Sequence, residues 1–356
     1  MFKKLYKFIF FLVLFIITYL FYIFPFETLN KYLFNESVKF QYSLINTAIF
    51  FILIVYYLRS HNTFKPLKIF VYEGLGIGFI SFMVISVSIL INLLGFFQET
   101  SIGITSLIII FVISAYGMIN AKRISIKNLE LSSAKIYNDF NIIFISDVHL
   151  GTNTSNHLKK ILKKIKTIKY DLIIIGGDLI DSSSFNINDL NILNEIKKDI
   201  YFVNGNHEYY LKDYKNKIAQ LKNFNINILK NTCKKIDQIN LIGIDDMQSE
   251  NSKIKYVNKL KKDNLFNLVI SHKPDIWDNI NNKAELMLSG HTHNGQIFPF
   301  NLIVKLKFKY IYGLYKNKKS KLYVSSGSGC WGPKLRIGSS NEIINIKLTA
   351  TNSILF

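Results

Sequence analysis

Hydrophobic residues follow two regimes along the chain. Up to about residue 122 they form four long runs, roughly 8–26, 42–58, 74–97 and 102–119, and none contains a charged residue. Each approaches the ~20 residues that a helix needs to cross the hydrocarbon core of a bilayer. From about residue 124 the runs shorten and alternate with Lys-rich stretches such as 157–168 and 210–221, where apolar positions recur at steps of three and four. This alternation of strand-like and helix-like segments predicts mainly α/β layering. The expected organisation is a transmembrane helical anchor over residues 1–122 and a separate α/β domain over 123–356.

The first run follows Lys3, Lys4 and Lys7, as the apolar core of a signal peptide would. It is too long for that role, lacks a small-residue cleavage site, and is succeeded by further spans, so it reads as a retained helix. Basic residues cluster before run one (Lys3, Lys4, Lys7), between runs two and three (Arg59, Lys65, Lys68) and after run four (Lys122, Arg123, Lys127). The opposite side offers only Lys31 and Lys39. The positive-inside bias predicts a multi-pass cytoplasmic membrane protein with both termini, and the α/β domain, in the cytoplasm. With no ionisable residue inside a run to mark a transport path, the helices read as an anchor.

Composition sharpens this division. The chain is 49% apolar and 14% aromatic yet carries a formal charge of +20, a combination that excludes intrinsic disorder. Residues 1–122 contribute +5 and the remainder +15, so the apolar character and the charge sit in different places. Only Arg59, Arg123 and Arg336 are arginine among 44 basic residues, and Ile and Asn are abundant, a usage that AT-rich coding produces. Part of the charge therefore need not signify a polyanionic partner. Cys233 and Cys330 are too few for a disulfide framework or a thiolate metal cage.

Five apolar runs of the second region end in metal-capable residues. Residues 141–146 lead into Asp147-Val148-His149, and 171–175 into Gly176-Gly177-Asp178-Leu179-Ile180-Asp181. Residues 200–203 lead into Asn204-Gly205-Asn206-His207-Glu208, 267–270 into Ser271-His272, and 285–288 into Ser289-Gly290-His291-Thr292-His293. Five of the seven histidines fall in these blocks. Ligands gather beyond strand ends in layered sheets, where loops converge. Imidazole and carboxylate without thiolate suit Mn, Fe or Zn. The donors exceed what one catalytic zinc uses, so two divalent ions fit better, at the ~3.5–4 Å spacing used in phosphate-ester hydrolysis.

Asp147-x-His149, Gly177-Asp178-x-x-Asp181, Gly205-Asn206-His207-Glu208, His272 and Gly290-His291-x-His293 resemble the signature of the calcineurin-like metallophosphoesterases over residues 140–350. Gly290 to Gln296 and Ser325-Ser326-Gly327 through Trp331-Gly332-Pro333 to Arg336 are similar to the bacterial membrane-associated subgroup. The resemblance implies a four-layer αββα sandwich holding two divalent ions, Mn²⁺ foremost with Fe or Zn as alternatives. It assigns Asp147, His149, Asp178 and His293 to one ion, and Asp178, Asn206, His272 and His291 to the other, with Asp178 bridging. It further implies attack on phosphorus by a hydroxide shared between the ions, with His207 assisting the leaving oxygen and Asp181 orienting His207. Gly177, Gly205 and Gly290 would let the backbone turn sharply beside the ions.

The implied substrate is a phosphate-bearing small molecule or lipid: a phosphodiester, a pyrophosphate or a lipid-linked phosphate. A nucleotide-sugar lipid pyrophosphatase and a nuclease are alternatives within the superfamily. Nucleic acid is disfavoured because the basic domain has no Arg-rich stripe and no evident stacking platform. A non-catalytic metal-binding membrane sensor is the alternative from another class, and its mark would be loss of His207 or Asp178. The 66-residue interval from Asn206 to His272 is the only roomy one, and it reads as a helix, two strands over 226–244 and another helix, leaving an open site. Over 304–310 apolar residues alternate with Lys305, Lys307 and Lys309, a pattern read as a lysine-guarded edge strand or as a strand facing anionic lipid.

Overall fold

The computed structural model describes residues 2–60, 64–317 and 320–351; His61 and residues 352–356 lie outside the described residues. The chain forms two compact units, Met1–Asn120 with Gly332–Leu335 and Ala121–Trp331 with Arg336–Phe356.

The first unit is helical. α1 (Phe2–Thr18), a π-helical turn at Tyr19–Ile23 and α2 (Phe24–Phe34) run on as one apolar segment. Pro25 sits in the first turn of α2, where a missing N–H costs least. α3 (Phe40–Ser60), α4 (Lys65–Asn92) and α5 (Glu99–Asn120) follow. Among the described residues these make four segments long and apolar enough to cross a bilayer. Large apolar side chains such as Phe10, Ile52, Leu90 and Phe111 point outward, a surface suited to lipid. Between α4 and α5 the Ser88 and Ser106 hydroxyls lie 2.6 Å apart, the small polar contact that lets apolar helices pack closely. The third run was read to residue 97, yet α4 stops at Asn92. Gly95, at φ +73°, reverses the chain, so apolar residues 93–97 form the connection.

The second unit follows the predicted alternation. It contains β1 (Ile124–Ser133), β2 (Phe140–Ile145), α6 (Ser155–Ile165), β3 (Leu172–Ile175), β4 (Ile200–Phe202), α7 (Asn206–Tyr210), α8 (Tyr214–Gln220) and β5 (Ile226–Ile228). Then come β6 (Thr232–Ile236), β7 (Ile239–Ile244), α9 (Glu250–Leu260), β8 (Phe266–Ser271), α10 (Trp277–Ile280) and β9 (Leu286–Ser289). The unit closes with α11 (Phe300–Lys307), β10 (Gly313–Asn317), β11 (Ser320–Val324) and β12 (Asn341–Ala350).

Two six-stranded sheets result, ordered β1-β12-β2-β3-β4-β5 and β10-β11-β9-β8-β7-β6. Alternate residues of each strand enter different cores. Ile142, Phe144, Leu172 and Ile174 meet Leu241, Leu268, Ile270 and Leu288 between the sheets. Ile143, Ile145, Ile173 and Ile175 face outward onto Leu158, Ile161, Leu162 and Ile165 of α6. Ile242, Val269 and Met287 face outward on the other side onto Val257 and Trp277. Burial on both faces explains why these strands read as unbroken apolar runs. Helices cover the outer faces, which makes the four-layer αββα sandwich.

Three segments differ from expectation. The helix expected over 210–221 is split into α7 and α8, with Asp213 at φ +58° between them. Residues 226–244 hold three strands, not two: β5 closes the first sheet while β6 and β7 begin the second, so the chain changes sheets there. Residues 304–307 belong to helix α11 and not to an edge strand. Phe300, Ile303 and Leu306 recur there at three-residue steps, and the local apolar–lysine alternation is incidental to them.

Candidate metal centre

β2, β3 and β4 are parallel neighbours in one sheet, as are β7, β8 and β9 in the other. Their carboxyl ends therefore discharge their loops in a common direction within each sheet. Pairing continues past the strands: Asp147 N donates to Gly177 O at 3.0 Å, His149 N to Asp178 O at 3.0 Å, and Gly290 N to His272 O at 2.9 Å. These bonds hold the first, second, fourth and fifth predicted blocks in register. Five site residues, Asp147, His149, Asp178, His291 and His293, take positive φ values between 50° and 71°. Such backbone costs on the order of 1–3 kcal/mol per residue and persists where surrounding structure enforces it, commonly at functional sites.

Two clusters of predicted ligands form from these loops, and a third group joins His149 to Asp181 and His207. In the first, Asp147, His149 and His293 bring their ligand atoms within 4.8 Å of one another. His149 Nε2 lies 3.1 Å from His293 Nε2, and His293 Nε2 lies 3.5 Å from Asp147 Oδ1. In the second, Asp178, His272 and His291 do the same. His272 Nε2 stands 3.1 Å from Asp178 Oδ2 and 3.2 Å from His291 Nδ1. Asp178 Oδ2 is also 3.9 Å from His149 Nε2, so its carboxylate adjoins both clusters. Asn206 presents a buried side-chain oxygen, Oδ1, with no hydrogen-bond partner.

This donor set fits divalent cations. His272 Nδ1 meets Gly176 O at 2.8 Å, so it donates there and leaves Nε2 turned to Asp178. Burial disfavours charge on His272, yet the Asp178 and Asp147 carboxylates outweigh it and push the ring up to about 10. Burial and the neighbouring His272 push His291 down to about 3. Burial resists ionisation of Asp178 too, but His272 and His149 hold it well below the usual carboxylate range. The cluster thus demands positive charge beside Asp178. A cation bound there would replace the imidazole proton, the ordinary exchange when metal meets histidine and carboxylate.

His207 lies at the edge of the clusters. Its N–H donates to Asp178 Oδ1 at 2.8 Å, and its ring meets His149 edge-on at 4.8 Å between centroids. Burial pushes it down to about 4, so the ring is neutral at pH 7. Tyr210 and Trp331 flank it with centroids at 5.4 and 5.6 Å, and both are exposed. Asp181 was expected to orient His207. Its carboxylate accepts bonds from Thr152 N at 2.8 Å and Thr152 Oγ1 at 2.5 Å and lies 3.4 Å from His149 Nδ1. It also groups with both His149 and His207, their ligand atoms all within 4.8 Å of one another, so the loop after β3 brings Asp181 beside both rings.

Of the three glycines, Gly177 alone has positive φ, +93°. Gly205 and Gly290 are required for space, since a Cβ at Gly205 would meet Asp178 Oδ1, and one at Gly290 would meet Ser146 Oγ and Asp147 Oδ2.

Supporting residues were less visible from sequence. Glu208, fully buried, accepts hydrogen bonds from Asp178 N, Ile180 N and Gly205 N at 3.0, 3.0 and 2.8 Å, tying two ligand loops together. Ser146 Oγ donates to Asp147 Oδ2 at 2.6 Å. Arg336, also buried, donates to His293 O at 2.9 Å. At the end of β7, Asp245 accepts from Asn204 Nδ2 and Tyr209 Oη, and Asp246 accepts from Lys273 Nζ at 2.6 Å. The strand-end rule that found the other blocks would have found Asp245-Asp246 had it been applied to β7.

A family model described as calcineurin-like phosphoesterase matches residues 140–295. An uncharacterized metallophosphoesterase of Campylobacter jejuni is 34% identical over 263 residues, 68% of each chain. One of Helicobacter pylori is 33% identical over 242 residues, 65% of each chain. A transmembrane protein with metallophosphoesterase domain from Danio rerio is 29% identical over 281 residues, 71% of this chain and 63% of that one. The matches thus span about two thirds of these relatives' lengths.

Proposed function

The chain belongs to the calcineurin-like metallophosphoesterases, and on that footing we propose that it is a membrane-anchored hydrolase of phosphodiester, pyrophosphate or lipid-linked phosphate bonds. Residues 1–122 serve as the anchor in the cytoplasmic membrane, and 123–356 act as the catalytic domain on its cytoplasmic side. The observation that carries the reading is the pair of buried imidazole–carboxylate clusters joined through Asp178, with a neutral histidine beside them.

Asp147, His149, Asp178 and His293 would hold one divalent ion, and Asp178, Asn206, His272 and His291 the other. Ions bound there supply Lewis acidity toward phosphoryl oxygens and lower the pKa of water. The protein's own groups do the rest. Arg336 and Ser146 fix His293 and Asp147, Asp181 sets the ring of His149, and Glu208 locks the loops that carry Asp178 and Asn206. His207, held by its backbone bond to Asp178, donates a hydrogen bond to the departing oxygen. Mn²⁺ suits these oxygen and imidazole donors, with Fe or Zn as the other choices.

A second reading, a nucleotide-linked lipid pyrophosphate as substrate, draws support from exposed Trp331 and Tyr210 beside His207. They offer a planar leaving group faces to stack on. The full-length protein, purified with Mn²⁺, should be assayed on bis-p-nitrophenyl phosphate, p-nitrophenyl phosphate and a nucleotide-lipid pyrophosphate. Turnover of at least one that collapses in Asp178→Asn is expected. Equal, negligible turnover by both proteins on all three would remove the enzymatic reading.

A further inference from the structure

A second feature lies on the outer side of α6. This helix buries Leu158, Ile161, Leu162 and Ile165 and has no acidic residue. Lys160, Lys163 and Lys164 stand at i, i+3 and i+4, so they share one exposed face. That face adjoins Lys122 and Arg123, which come within three residues of the end of α5 at Asn120. Together these five cations, with Thr167, line a surface cavity of about 710 Å³ whose lining includes no acid.

What sets this group apart from the lysine-rich background is its gathering around one acid-free cavity. Some lysines elsewhere find carboxylates: Lys166 with Glu195, Lys261 with Asp263, Lys309 with Asp278 and Lys347 with Asp139. Among the described residues, none of the five cavity cations forms an ion pair within 4.0 Å. Like charges gathered without a counter-charge repel one another, and an anion in the cavity relieves that repulsion. Lys presents point charges to a phosphate, and Arg adds a planar fork for two of its oxygens. Basic residues directly following a membrane helix meet the anionic lipid surface.

We infer that this cavity binds the phosphate headgroup of an anionic phospholipid. The inference rests on reading α5 as a membrane span. It is independent of the metal centre, since none of the five cations belongs to that site.

The test uses full-length protein in detergent, wild type and Lys160→Gln/Lys163→Gln/Lys164→Gln, titrated with phosphatidylglycerol and followed by native mass spectrometry. Wild type should bind phosphatidylglycerol saturably and in preference to phosphatidylcholine. The triple variant should bind it on the order of 100-fold more weakly, since each basic residue is worth about a factor of five near anionic lipid. Glycerol phosphate and inorganic phosphate at equal concentration should fail to displace the lipid. Equal binding by the variant, equal binding of phosphatidylcholine, or displacement by inorganic phosphate would each overturn the inference. Unchanged aryl phosphodiester hydrolysis by the variant establishes that it is folded. Alkaline carbonate washing separates the premise: extraction of wild type from membranes defeats the span, whereas equal lipid binding by a membrane-retained variant defeats the cavity.

Discussion

Three carboxylates with nearly identical sequence signals have different duties, and their surroundings decide which. Asp178 faces histidines of both sheets and stays ionised; Asp181 is taken up by Thr152 and the Nδ1 side of His149; Glu208 points at backbone N–H groups. Burial and the nearby Asp178 charge push Glu208 up to about 7, while the Ile180 and Gly205 N–H donors resist the rise. Glu208→Gln turns an N–H toward those donors, and leaving buried donors unpaired costs about 1–3 kcal/mol. A lowered melting temperature of the purified protein is expected; an unchanged one would contradict the strut role. His207 is separable from the ligands in another way. His207→Gln should lower turnover by about 100-fold or more while leaving bound metal unchanged, measured by elemental analysis. Metal lost in step with activity would make His207 a ligand instead. Residue types at strand ends were legible from sequence. Which neighbour each carboxylate faces was not, because that depends on how far each loop advances beyond its strand.

At the scale of elements, periodicity located what is buried and misjudged what is exposed. α6 was anticipated because its apolar positions answer to a core. α11 was not: Leu302, Ile303 and Leu306 are exposed, Leu306 at 88%, so no core enforces a helical pattern on the sequence. The boundary of α4 was missed for a related reason, since residues 93–97 are as apolar as the helix they leave and only Gly95 marks the exit. The contrast predicts stabilities. Ile161→Ala, at a fully buried position, should cost about 2–5 kcal/mol, whereas Leu306→Ser should stay within about 0.5 kcal/mol. Denaturation of the two variants checks this, and a Leu306→Ser loss as large as that of Ile161→Ala would show α11 to be packed in the folded protein.

For the whole molecule, the contrast between apolar composition and +20 charge resolves into a helical unit and a basic α/β unit. The asymmetry of basic loops predicts that a reporter fused after Phe356 matures in the cytoplasm, and maturation only outside it would reverse the topology. Charge by itself could not choose between a phosphate substrate and nucleic acid. The proposal of a phosphate-ester hydrolase rests instead on the convergence of loops from two sheets, which the order of the five blocks announced and which the parallel arrangement of β2–β4 and β7–β9 explains. Metal stoichiometry therefore tests the account most directly. Protein stripped by chelator and reloaded with Mn²⁺ should hold two ions per chain, regain hydrolysis as they bind, and lose both properties in Asp178→Asn. One ion per chain, or two retained by Asp178→Asn, would contradict a centre joined through that carboxylate.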